Sequence, residues 1–105
     1  MRQLRIRPIA ETDIKEASDW YDERENGLGG RFLDELGATL TRIRLIPRQF
    51  PDVGRGLRRA LLGRFPYAVY FVLRDEERIS VIAVLHQKRN PATWKRRFAR
   101  EGKAG

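Results

Sequence analysis

The sequence predicts one α+β domain in which a helical hairpin packs on one face of a sheet, in the order strand, helix, helix, strand, strand, strand. Three observations carry that prediction. Two stretches with helical apolar spacing fill the first half, and three short runs rich in Val, Ile, Tyr and Phe fill the second. The breaks between them are glycine, proline or acidic turn segments rather than linkers, so residues 1–105 form a single unit. A chain of 105 residues buries a core modest in size yet sufficient without metals or disulfides. It has no cysteine, which excludes a disulfide framework and a thiolate metal site. No apolar run approaches transmembrane length or resembles a signal peptide, so the expectation is a soluble, cytoplasmic protein without membrane association.

The first strand is "LRIRPI", where Leu4 and Ile6 alternate with Arg5 and Arg7 and Pro8 confines it to an edge or an early end. A helix is expected from about Glu11 to Glu25, with Ile14, Ala17 and Tyr21 on one face and Asp13 and Glu16 near its positive end. Trp20 and Tyr21 are neighbours on it, so one packs and the other faces outward. "NGLGG" at 26–30 breaks the pattern with residues that suit left-handed caps. The second helix runs from about Gly30 to Ile46 with Phe32, Leu33, Leu36, Leu40 and Ile43 near helical spacing, and Pro47 ends it. Gly37 costs roughly 1 kcal/mol relative to alanine there, which points to close packing against a neighbour. "PRQFPDVGRG" at 47–56 reads as an irregular loop. "LRRALLGRF", "YAVYFVLR" and "RISVIAVLH" then read as strands, with "DEER" as a tight antiparallel connection and Tyr70 and Phe71 as core. A short helical tail follows from Pro91, a permitted first helical residue.

Charge divides the chain. Residues 1–40 hold six basic and nine acidic side chains, a net of −3, and residues 41–105 hold sixteen basic and five acidic, a net of +11. Eighteen of the 22 basic residues are arginine, the better fork for phosphates and carboxylates. Arginine excess also follows from GC-rich codon usage, whereas the asymmetry points to an acidic or polyanionic partner for the second half. The tail "KRNPATWKRRFAR" interleaves six basic residues with Trp94 and Phe98. In helical form Trp94, Arg97 and Phe98 make an aromatic edge beside a cationic face. Two readings stand side by side: a surface for nucleic-acid phosphates or an acidic segment, or two aromatics pinning the basic tail, 93–105, onto the sheet.

The succession "DIKEASDWYDERENGLGGRFLDEL", "PRQFPDV", "RRALLGRFPYAVYFV" and "VIAVLHQKRNPATW" resembles the RelE/ParE superfamily of bacterial toxins over residues 4–97, closer to the ParE-like, plasmid-stabilisation members. The resemblance implies an α+β fold with the helical hairpin packed on a curved, mainly antiparallel sheet, and the toxin half of a type II toxin–antitoxin module, with a small cognate antitoxin that wraps and blocks it. It also implies operator DNA reached only through that antitoxin, and growth inhibition in plasmid stabilisation or stress response. RelE-like members cut mRNA in the ribosome; ParE-like members poison DNA gyrase. Neither implies a cofactor or a metal. A degenerate, non-toxic member that only binds its antitoxin is a third reading.

Metal-free RNA cleavage needs acid–base groups and cations converging on one phosphate. His86, the only histidine, is the acid–base candidate because imidazole works in both directions near neutral pH. Arg58, Arg59, Arg64, Lys88 and Arg89 are candidate phosphate ligands, and Tyr67 and Trp94 candidate stacking platforms. Strand alternation puts His86 on a face with Ser80, Ile82 and Val84, where it reads more simply as a hydrogen-bonded cap. Arg58 and Arg59 point to opposite faces, and Arg59 is the site candidate because it matches an arginine that ParE-like sequences carry before the hydrophobic strand; Arg58 reads as a solvated, edge-protecting charge. RelE-like sequences usually carry an arginine near Tyr67 or Ala68 and a tyrosine near Trp94, and neither is present here. The ribonuclease set is therefore Arg59, Arg64, His86 and Arg89. The set for a protein target or antitoxin is Arg59, Tyr67, Lys88, Arg89, Trp94, Lys95, Arg96 and Arg97. The favoured expectation is a non-enzymatic toxin that binds gyrase, with ribosome-dependent mRNA cleavage as the alternative.

Overall fold

The computed structural model describes residues 2–104, so the end of the predicted basic tail, Gly105, lies outside the described residues. Strand β1 (Gln3–Ile6) leads into helix α1 (Pro8–Arg24) and helix α2 (Leu28–Leu45), followed by a single 3₁₀ turn at Pro47–Gln49. Strands β2 (Asp52–Gly54), β3 (Leu57–Leu61), β4 (Tyr67–Asp75) and β5 (Arg78–His86) precede helix α3 (Pro91–Ala104). The sheet order is β1-β5-β4-β3-β2, parallel only between β1 and β5. The α+β class, the edge position of β1 and the tight turn at Glu76 and Glu77 agree with the sequence expectation.

Pro8 does more than stop β1: it opens α1, where its missing N–H costs nothing, so the helix starts three residues earlier than expected. Gly27 takes a left-handed φ of 89° between the helices, and α2 begins one residue later. The close approach of the hairpin falls at Gly29, not Gly37. A Cβ at Gly29 would sit 2.4 Å from the Ser18 carbonyl oxygen and 2.7 Å from Asp22 Cγ, whereas one at Gly37 would meet open space. Asp22 Oδ1 also accepts the Gly29 N–H at 2.8 Å, so the same position that forbids a side chain ties the helices together. Leu33, expected on the packed face of α2, is 44% exposed. The stripe actually buried is Phe32, Leu36, Thr39 and Ile43, whose spacing follows one face of the helix.

The segment 47–56 is not wholly irregular. Arg58 Nη1 donates to the Phe50 and Arg48 carbonyls at 2.6 and 3.3 Å, so it pins this segment rather than floating in water. The Asp52 carboxylate accepts the Gly54 and Gly56 N–H groups at 2.7 and 3.0 Å, and the turn it shapes lets β2 pair with β3.

Both sheet faces are covered, in place of the single covered face expected. The α1–α2 hairpin packs over Ala60, Val69, Phe71, Ile79, Val81 and Val84. Helix α3 covers Leu57, Ala68, Tyr70, Ile82, Ala83 and Leu85, with Trp94 stacked on Tyr70 at 4.8 Å. The division of β5 between the faces turns on one residue. Tyr70 pairs with Ala83 and Phe71 with Val81, so Ile82 is an extra residue bulged out of the ladder. Beyond the bulge the alternation inverts. His86 therefore shares the hairpin face with Val84, Val81 and Ile79, not with Ser80 and Ile82.

Helix α3 is held at two points. Past Val81 strand β5 has no β1 neighbour, because the chain has turned into α1. Asp13 of α1 fills the gap: its Oδ2 accepts the Val84 N–H at 3.0 Å while both oxygens receive the Arg97 guanidinium, one at 3.1 Å. Arg97 Nη1 also reaches the Ile82 carbonyl at 3.3 Å. A carboxylate and a guanidinium thus substitute for a missing strand and join α1 to α3 around the sheet edge. At the far end Glu101 is shared by Arg74, at 2.7 Å, and Arg7, at 3.4 Å.

Candidate functional site

The start of β4 and the end of β5 meet α1 across a cleft of about 510 Å³ lined by Asp13, Glu16, Ala17, Trp20, Tyr21, Pro66, Tyr67, Val84, Leu85, His86 and Arg89. Its floor is aromatic because the hairpin and the β3–β4 turn each contribute rings at helical or strand spacing. Tyr21 stacks on Phe32 at 5.6 Å and meets Phe65 edge-on at 4.9 Å, and Tyr67 meets Phe32 at 5.2 Å. Burial raises the phenol pKa of both Tyr21 and Tyr67; for Tyr67 the nearby Arg89 opposes that rise. Both phenols are therefore neutral donors at physiological pH.

His86 lies at the mouth, its ring 5.5 Å from Tyr67 in an edge arrangement. Its Nδ1 accepts the Lys88 backbone N–H at 3.0 Å, and its carbonyl accepts the Arg89 N–H at 2.9 Å. The imidazole thus caps the tight turn that leads out of β5, and not the face of Ser80 and Ile82 on which strand alternation alone would set it. In its neutral form the ring keeps only the Nε2 proton to offer.

Of the ribonuclease set, His86 and Arg89 share this cleft and the other two do not. Arg64 belongs to a second cleft of about 610 Å³ beyond Phe65 and Pro66, formed with Tyr21, Leu28, Arg31, Asp34 and Glu35. Glu35 builds that turn by accepting the Gly63 and Arg64 N–H groups at 2.9 and 3.1 Å. Arg59 pairs in register with Tyr70 and therefore faces α3, on the opposite side of the sheet from His86, with its Nε buried and unpartnered. An arginine on the far face of a strand cannot converge with His86 on one phosphate, because the sheet lies between them.

The binding set divides in the same way. Tyr67 and Arg89 line the cleft, and Lys88 is exposed in the turn beside it. Lys95 and Arg96 are exposed on the outer side of α3 and have no ion-pair partner among the described residues. Trp94 and Arg97 are structural: Trp94 is 8% exposed against Tyr70, and the Arg97 side chain is committed to Asp13. The aromatic edge read from the tail is the buried edge, and of the two readings the pinning of the tail holds for Trp94.

Two exposed features of α1 complete the rim. Trp20 is 46% exposed and carries the Arg24 guanidinium 3.7 Å above its ring centroid, while Tyr21 turns inward. Trp20 and Arg24 stand four residues apart, which a helix stacks one turn above the other. That spacing was readable in the sequence. Among the described residues no three His, Cys, Asp or Glu side chains gather as a metal site, and no helix is long and apolar enough to cross a membrane. An apolar floor whose rim carries Trp20 with its stacked Arg24, Arg89 and the exposed carboxylate of Glu16 suits recognition of a surface that offers apolar groups and charges placed to match.

Residues 4–91 match the family model described as "ParE toxin of type II toxin-antitoxin system, parDE". The fold matches a chain of the solved chromosomal ParDE toxin–antitoxin system from P. aeruginosa with a TM-score of 0.72, at 17% identity over 82% of this chain and 96% of that one. No curated protein matches the sequence.

Proposed function

The chain belongs to the family of ParE toxins of type II toxin–antitoxin systems, and on that premise we propose that it arrests bacterial growth in the cytoplasm by binding DNA gyrase, held inactive until then by a cognate antitoxin. The observation that supports protein binding over RNA cleavage is the scattering of the acid–base and cationic groups. Arg59 lies across the sheet from His86, Arg64 stands in a separate cleft, and His86 spends Nδ1 on its own turn. General acid–base chemistry on a phosphodiester needs these groups within hydrogen-bond reach of the same atoms. Protein recognition asks less: aromatic and arginine anchors around an apolar depression, which Trp20, Tyr67 and Arg89 supply, with Arg24 stacked on Trp20. An antitoxin segment with apolar and acidic side chains suits the same rim, which would explain how occupying it silences the toxin. Operator DNA is then reached through the antitoxin.

Pulse-labelling of DNA and protein synthesis within minutes of inducing the toxin alone tests this. The expected result is an early stop in DNA synthesis while translation continues, with supercoiling by purified gyrase inhibited at saturating toxin. An early stop in translation, lost when His86 and Arg89 are replaced together, would reject it in favour of mRNA cleavage.

A further inference from the structure

A second cluster of charge lies far from the cleft, on the α3 side of the sheet at the corner that α3 leaves open. In-register pairing sets Gln3 beside Arg78 and Arg5 beside Ser80, so Gln3, Arg5 and Arg7 project to the same face as Ser80, while Leu4 and Ile6 enter the core. Arg74 arrives on that face from β4, donating from Nε to Ser80 Oγ at 2.8 Å. Together Gln3, Arg5, Arg7, Arg74, Arg78 and Ser80 surround an open depression of about 280 Å³.

The charges around it do not balance. Arg78 is paired with Asp75, whose carboxylate accepts from Arg78 Nε at 2.8 Å. Arg7 and Arg74 must share the single carboxylate of Glu101. Arg5 is exposed and has no ion-pair partner among the described residues. Four guanidiniums thus face two carboxylates, and the hydroxyl of buried Ser80, already accepting from Arg74, has its own proton left to donate. The two carboxylates leave an excess of positive charge around the depression, which an entering anion would offset. The donors approach from three strands, in directions that a planar carboxylate cannot meet together. A tetrahedral oxyanion can, because its oxygens point to several sides at once.

We propose that this corner is a phosphate-binding site, filled by free phosphate or by a phosphodiester of nucleic acid. Arg5 supplies the uncommitted fork, Arg7 and Arg74 the shared excess charge, and Ser80 and Gln3 neutral hydrogen bonds. The site is independent of the cleft and of the target assigned to it.

The test uses the full chain with side-chain Nε–Hε NMR correlations of arginine, titrating inorganic phosphate at ionic strength held constant with chloride. Saturable shifts confined to Arg5, Arg7, Arg74 and Arg78 are expected, and Arg5→Gln should weaken binding by about tenfold, as loss of one charge-assisted fork predicts. A short DNA duplex titrated under the same conditions separates the sources. Loss of duplex affinity in Arg5→Gln by the same factor assigns the diester, and loss of phosphate binding alone assigns the free anion. Should Arg5→Gln fail to fold, Arg7→Gln, which removes part of the shared excess charge, is expected to weaken phosphate binding in the same direction. Unchanged phosphate affinity in the folded variant, or shifts of equal size at Arg24 and Arg31, would overturn the proposal.

Discussion

Replacing Asp13 by alanine tests how α3 is held. The Asp13 and Arg97 side chains are 7% and 16% exposed, so the variant leaves a guanidinium largely buried without its counter-ion. Removing one partner of a buried pair costs about 3–5 kcal/mol. The Val84 N–H loses its acceptor as well, adding roughly 1–3 kcal/mol where water cannot reach it. Because the terms overlap, the expected loss is about 4 kcal/mol, a large share of the 5–15 kcal/mol typical of a whole domain. Urea unfolding followed by circular dichroism at neutral pH reads it directly. Asp13→Asn, which keeps one acceptor for Val84 or Arg97, should lose about half as much. Asp13→Ala combined with Arg97→Met should lose less than the two single changes added together, since an apolar pair leaves no buried charge. If Asp13→Ala costs under about 1 kcal/mol and the double variant is strictly additive, the pair does not clamp α3 and the reasoning fails.

Three further outcomes are expected. Gly29→Ala should destabilise by about 1–3 kcal/mol through its collision with the Ser18 carbonyl, while Gly37→Ala, open and helical, should stabilise by up to about 1 kcal/mol; equal effects in thermal melts would contradict the assigned hairpin contact. Trp94→Ala should cost about 3–5 kcal/mol, whereas exposed Trp20→Ala should stay within about 0.5 kcal/mol yet weaken antitoxin binding in calorimetry. Burial raises the Tyr67 pKa in the folded state, so the phenol binds its proton more tightly there than in the unfolded chain, and stability is whole below the ordinary tyrosine pKa and falls as pH rises through the folded value. Tyr67→Phe should flatten that alkaline loss in unfolding curves taken above the ordinary tyrosine pKa; an unaltered slope would show that Tyr67 is not the titrating group.

Local patterns settled most of the architecture. The helical spacing on α1 and α2, the glycines between them and the apolar runs of β3 to β5 can be read within a window of a few residues, because helix and strand periodicity are properties of neighbouring side chains. The roles of Tyr70 and Phe71 as core follow from the same local logic. What depended on the tertiary structure are features set by partners distant in the chain. The bulge at Ile82 is invisible in "RISVIAVLH", since alternation alone cannot show where a neighbouring strand skips a residue, and that skip decides which face His86 occupies. Whether Trp94 and Arg97 form a binding edge or hold the tail in place depends on Tyr70 and Asp13, 24 and 84 residues away, which receive them. The composition of the tail fixed its charge, but which of its cations remain free for a partner was decided by which buried carboxylates the fold brings within reach.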